Sequence, residues 1–184
     1  MIRSGLASWK LDLPALALGL ALAAVAAAPA FAAGEGGSSN PPPPTCAKGQ
    51  VYDSKKKGCV KAERGVLPDE QMTQYAYALA KADRFEEALA ILDMLDNPNT
   101  AKALNYRGYA TRKLGRTDEG IGYYLKSVSL DPGYAQVREY LGEAYVIQGK
   151  LDLAKQQLAT IKTICGTDCE EYEDLAVAIA DSKL

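Results

Sequence analysis

The sequence contains no histidine. That excludes imidazole acid–base catalysis, leaves no Ser or Cys with a His partner, and removes the commonest metal ligand. Phenylalanine and tryptophan are scarce, two and one in 184 residues, although tyrosine is common at 11. Neither sign of charge dominates: 21 Lys and Arg stand against 23 Asp and Glu, a net charge of -2. A nucleic-acid binder working through a basic surface is therefore not expected. A phosphate-cradling loop is missing too, because Gly34 to Gly37 precede no strand–helix unit. The adjacent carboxylates Glu86-Glu87 and Glu170-Glu171 fall at expected helix starts, where the helix dipole favours them. The inventory points to no enzyme, no cofactor and no metal site.

Charge is also absent locally, from Leu13 to Gly34. Arg3 and Lys10 precede this apolar run, and Ala30-Phe31-Ala32 has the small-x-small form of a cleavage site. Residues 1–32 read as a secretory signal peptide, which places the processed chain in the periplasm or outside the cell. The alternative is a retained membrane anchor, since the run just reaches bilayer length. Residues 33–45, rich in Gly, Ser and Pro, bury nothing and are expected to stay extended.

The four cysteines fall in two pairs. Cys46 and Cys59 bracket two short strand-like pieces, Val51-Tyr52 and Cys59-Val60, with a polar turn between them. A segment as small as 46–67 cannot hold a shape by apolar burial alone. A hairpin closed by a Cys46–Cys59 disulfide is expected, and such a closure contributes about 3 kcal/mol on a chain-entropy estimate. Lys55, Lys56 and Lys57 sit at its tip, either as a solvated turn or as a weak contact for an anionic envelope surface. Cys165 and Cys169 flank a corner that a second disulfide would fasten. Their spacing differs from the Cys-x-x-Cys redox form, and neither pair has the usual zinc-ligand spacing.

The rest is helical in pattern. Leu104, Gly108, Thr111 and Leu114 line one stripe; Ile121, Tyr124, Leu125 and Val128 line the next. The short break between them makes the two helices antiparallel neighbours. Gly108 lies mid-helix, where it costs about 1 kcal/mol relative to Ala, which implies a close helix crossing. Thr100 is placed to cap one helix, and Gly115 and Gly149 to end two others. Asp83 with Glu86, and Asp168 with Glu171, have the spacing of capping boxes. The helix from Phe85 is expected to run to Leu95, ended by Asn97-Pro98-Asn99.

Counted from Ala101, Gly108, Gly120, Ser127 and Pro132 stand at the places where the tetratricopeptide repeat, a helix-turn-helix unit of about 34 residues, has small residues and its closing proline. Leu104 and Tyr124 also fit, while Arg107 and Thr111 depart. The pattern returns from Ala135 with Leu141, Gly142, Tyr145, Gly149, Ala154 and Leu158, departing at Ile161 and Gly166. Upstream it appears as Met72, Tyr75, Ala76, Leu79, Ala88 and Leu92. The chain thus resembles this family over units of about 69–100, 101–134 and 135–168. The resemblance implies an all-α solenoid over 68–184, with 170–184 as a capping helix, preceded by the disulfide-closed hairpin.

The resemblance further implies protein or peptide binding on the face formed by the first helix of each unit. The positions that would carry it are Tyr77, Lys81, Lys102, Asn105, Tyr109, Arg112, Lys113, Glu139 and Glu143, with Glu70, Thr73 and Gln136 beside them. The carboxylate clamp of one family subgroup does not carry over, because Thr73, Tyr77 and Tyr106 replace its Lys and two Asn. Arg112 and Lys113 would still attract an acidic peptide. The expected role is a binding scaffold in the bacterial periplasm. The alternatives are envelope-polymer contact through the lysine turn, with the repeats as spacer, and homo-oligomerisation through the stacking faces.

Overall fold

The computed structural model describes residues 43–182. The expected signal segment and most of the linker lie outside the described residues. Two antiparallel strands come first, β1 (Gln50–Asp53) and β2 (Gly58–Lys61), paired with Val51 opposite Val60 and Tyr52 opposite Cys59. Asp53 organises the turn between them. Its Oδ1 accepts from the backbone N–H of Lys55 (2.9 Å) and Lys56 (3.2 Å). These bonds, that from Lys56 foremost, hold the carboxyl below its usual range.

Cys46 and Cys59 are bridged, as expected. The hairpin is also docked. The Cys46 N–H donates to the Tyr75 hydroxyl (2.7 Å), and the Arg84 guanidinium donates to the Cys46 carbonyl (2.7 Å). Val51 is fully buried in the same core as Tyr75 and Leu79. Replacing both Cys46 and Cys59 by Ser should lower unfolding free energy by about 3 kcal/mol. Urea titration of the oxidised wild type against the double variant measures this.

Seven helices follow among the described residues: α1 (Asp69–Lys81), α2 (Phe85–Leu92), α3 (Ala101–Lys113), α4 (Thr117–Leu130), α5 (Ala135–Ile147), α6 (Leu151–Cys165) and α7 (Glu170–Asp181). They form three helical hairpins, α1/α2, α3/α4 and α5/α6, each packed on the next, with α7 covering α5 and α6. Thr100 caps α3 by accepting from the Ala103 N–H. Gly115 (φ 82°) and Gly149 (φ 70°) end α3 and α5 in the left-handed region. In each case the next residue's N–H returns to the helix, Arg116 to Thr111 and Lys150 to Tyr145.

Asp83 corrects an expectation. It forms no capping box with Glu86, and α2 has no side-chain cap. Asp83 takes φ 57° and plays in the first hairpin the part of Gly115 and Gly149, with the Arg84 N–H returning to the Leu79 carbonyl (2.9 Å). Arg84 then pairs with Glu87 (2.9 Å). The second box is also absent. Helix α7 is capped at Cys169, one residue later than the box requires, and its N-cap makes no side-chain bond. Helix α2 stops at Leu92 rather than Leu95. The Arg64 guanidinium takes the carbonyls of Leu95 (2.7 Å) and Asp93 (3.1 Å), and the Asp69 carboxylate takes the N–H groups of Asp96 and Asn97. Leu125, expected in the apolar stripe of α4, is 49% exposed; Gly120, Tyr124 and Ser127 make the buried face instead.

Gly108 lies where α3 meets α4. A Cβ there would stand 2.5 Å from the Tyr124 ring and 3.1 Å from the Gly120 carbonyl oxygen. Gly142 is equally crowded, but by Leu175 of α7 rather than by its own hairpin partner. The terminal helix buries Leu175 and Ile179. Cys165 and Cys169 are bridged at the corner before it. Among the described residues, no helix is long and apolar enough to cross a membrane.

Candidate functional site

One cavity of about 110 Å³ collects residues from four helices. Tyr77 comes from α1; Tyr109, Arg112 and Lys113 from α3; Gln136, Glu139, Tyr140 and Glu143 from α5; Glu170 and Asp174 from α7. The tyrosines form a connected wall. Tyr109 and Tyr140 have ring centroids 5.1 Å apart, the hydroxyls of Tyr77 and Tyr140 lie 3.3 Å apart, and Tyr77 stacks on Tyr106 at 4.3 Å. Burial pushes the Tyr109 hydroxyl up to about 12 and raises those of Tyr77 and Tyr140, so all three are neutral at physiological pH.

Cations sit over these rings. Lys81 Nζ is 5.7 Å from the Tyr77 centroid and 5.6 Å from that of Tyr109, and Lys113 Nζ is 5.4 Å from Tyr109. Burial, with Lys113 nearby, lowers the Lys81 pKa. Arg112 is 8% exposed and bonded twice: Nη2 donates to Glu143 (2.6 Å) and Nε to the Tyr124 hydroxyl (3.3 Å). Burial alone would lower its pKa, but Tyr124 and Glu143 outweigh that and raise it. Glu139 differs. It is 6% exposed and makes no hydrogen bond or ion pair among the described residues. Burial first, then the charges of Glu143, Asp174, Glu171 and Glu170, push its carboxyl up to about 9.

No protein-family model matches the sequence, and no curated protein matches it. Solved structures do. The chain is similar to MamA (TM-score 0.53, 18% identity, over 63% of this chain and 69% of that one). It is similar to the second tetratricopeptide domain of human RPAP3, solved with an HSP70 peptide (0.51, 18%, over 61% and 92%). It also resembles the Yersinia enterocolitica type III secretion chaperone SycD, solved with a peptide of the translocator YopD (0.51, 17%, over 65% and 93%). The fold is tetratricopeptide-like.

In this tetratricopeptide-like array, six of the nine residues named from sequence line the cavity: Tyr77, Tyr109, Arg112, Lys113, Glu139 and Glu143. Lys81 lies over two of its rings. Two do not belong to it. Lys102 is spent on an α1–α3 bridge to Glu70 (2.7 Å). Asn105 is completely buried, its Nδ2 donating to the Tyr134 hydroxyl and to Gln136 (both 3.1 Å). Thr73 is also buried. Tyr140, Glu170 and Asp174 line the cavity without having been singled out. A 34-residue count reaches them: Tyr106, Tyr140 and Asp174 form one column, and Lys102, Gln136 and Glu170 another. Treating α7 as a cover rather than as the first helix of a further unit concealed its contribution.

Proposed function

We propose that the chain is a non-enzymatic scaffold that binds a protein or peptide partner in the cavity lined by α1, α3, α5 and α7. The observation that carries this is the convergence of Tyr77, Tyr109 and Tyr140 with charged groups of both signs at one opening. Aromatic and Arg side chains are the usual anchors of interfaces. The peptides present in the RPAP3 and SycD structures support the same use of the fold. We place the processed protein in the bacterial periplasm, by the signal-like residues 1–32 and by two disulfides that suit an oxidising compartment. The exposed Lys55–Lys57 turn supports a second, lesser contact, with anionic envelope polymer.

A photocrosslinking amino acid at Lys113, in the full oxidised chain, tests the binding role in envelope extract. Adducts at position 113, absent when the probe replaces the exposed Lys155 on α6, are expected. Equal labelling from both positions, or none, rejects it. Sedimentation with cell-wall material of a variant carrying Gln at 55, 56 and 57 tests the second contact; unchanged retention rejects that one.

A further inference from the structure

We propose that the cavity receives a basic side chain, a lysine or arginine on an extended segment of the partner, held between the Glu139 carboxyl and the rings of Tyr77, Tyr109 and Tyr140. This rests on the cavity being the binding site and names what it selects.

The charges around the cavity decide the sign. Arg112 is matched by Glu143 at 2.6 Å. Lys81 and Lys113 stand over the Tyr109 ring, and α7 supplies Glu170 and Asp174 to this lining. The most buried carboxyl of this lining is Glu139, 6% exposed and without a hydrogen bond or ion pair among the described residues. A buried carboxyl of this kind is costly unless something arrives to pair with it. An acidic ligand would meet Glu170 and Asp174 of α7, and like charges oppose binding. A cation would meet the Glu139 carboxyl beside Tyr77, Tyr109 and Tyr140, with Lys81, Arg112 and Lys113 already over the Tyr109 ring. The Lys81 ammonium already lies within 6 Å of two of those ring centroids, so the rings accept a cation at this distance.

The unliganded site keeps Glu139 protonated near neutrality, since burial raises its carboxyl to about 9. A cation entering beside it displaces that proton, so binding releases a proton and strengthens as pH rises. The groups facing Glu139 are Lys81 from α1, Arg112 and Lys113 from α3, and Glu143 from its own helix. Helix α7 adds Glu170, Glu171 and Asp174. Replacing Glu139 alone leaves these neighbours in place, so the difference in pH dependence between wild type and Glu139→Gln reads out Glu139.

The probes are fluorescein-labelled octapeptides of alternating glycine with lysine, glutamine or glutamate, titrated against the full oxidised chain by anisotropy. The lysine peptide should bind at least tenfold tighter than the glutamine peptide, with the glutamate peptide weakest. Glu139→Gln should weaken lysine-peptide binding at least fivefold and flatten its pH dependence. Asp152→Asn, which removes an exposed carboxylate on α6, should change it less than twofold. Far-UV circular dichroism confirms that both variants are folded. Equal affinity for lysine and glutamine peptides, or equal losses in Glu139→Gln and Asp152→Asn, overturns the inference. If the position-113 probe captures segments without Lys or Arg, this inference fails and the binding role stands; if it captures nothing, the binding role itself fails.

Discussion

Gly108→Val should destabilise the array by at least ~3 kcal/mol, the upper range for overpacking a core. The added Cβ would stand 2.5 Å from a ring carbon of Tyr124, which is fully buried, and 3.1 Å from the Gly120 backbone oxygen. Neither neighbour can yield cheaply. The ring is enclosed and its hydroxyl holds Arg112, and the oxygen belongs to the backbone of α4. Helix propensity gives little back, because valine is only slightly better than glycine in a helix. Gly122→Ala on α4 is the matched control. Nothing lies within 4 Å of a Cβ there, so the variant should gain about 1 kcal/mol. Urea denaturation of both variants measures the contrast. Two changes of the same sign would mean that the α3–α4 crossing is not closed by glycine.

Glu139→Gln should stabilise the protein, increasingly so as pH rises. The folded carboxyl is pushed up to about 9 from an ordinary 4.5, so between those values the folded state holds a proton that the unfolded state has released. Stability contributed by that proton is complete below pH 4.5 and is lost progressively as pH climbs through about 9. Glutamine never ionises and escapes the loss. The advantage of the variant should grow by about 1.4 kcal/mol per pH unit, reaching roughly 3 kcal/mol at pH 7. Both side chains bury a polar end, so that cost largely cancels from the slope. Urea midpoints at pH 5, 7 and 8.5 give the comparison, and parallel curves would show that Glu139 is not held protonated. A substitution that stabilises the fold while weakening capture of a basic peptide is what a binding carboxyl, rather than a structural one, should show.

The helical hairpins are legible in the sequence because each must bury a stripe that repeats about every 34 residues. Thr100, Gly115 and Gly149 show why: each meets a backbone demand set within a few residues of itself, and Gly108 meets one set by the other helix of its own hairpin. Asp83 escapes the same reading because the left-handed stop it provides is normally glycine's, and an Asp before a helix reads as a cap. The short α2 escapes it because Arg64 and Asp69, about 30 residues away, take up the polar groups beyond Leu92. The cavity was half legible. Its rings and cations fall on repeat positions, but Asn105 holds such a position and turns out to be interior, where its amide secures Tyr134 and Gln136. No local pattern distinguishes a groove amide from a core amide.

Cys46 is fixed three ways, through its sulfur to Cys59, its N–H to Tyr75 and its carbonyl to Arg84. Any tension drawn along the polypeptide from its N-terminal side therefore reaches this clasp before it reaches a helix. The load falls on a covalent loop and two short polar contacts, and α1 is spared from being peeled away turn by turn. Were the chain held to a surface by its leading segment, the helices would sit beyond a mechanical stop.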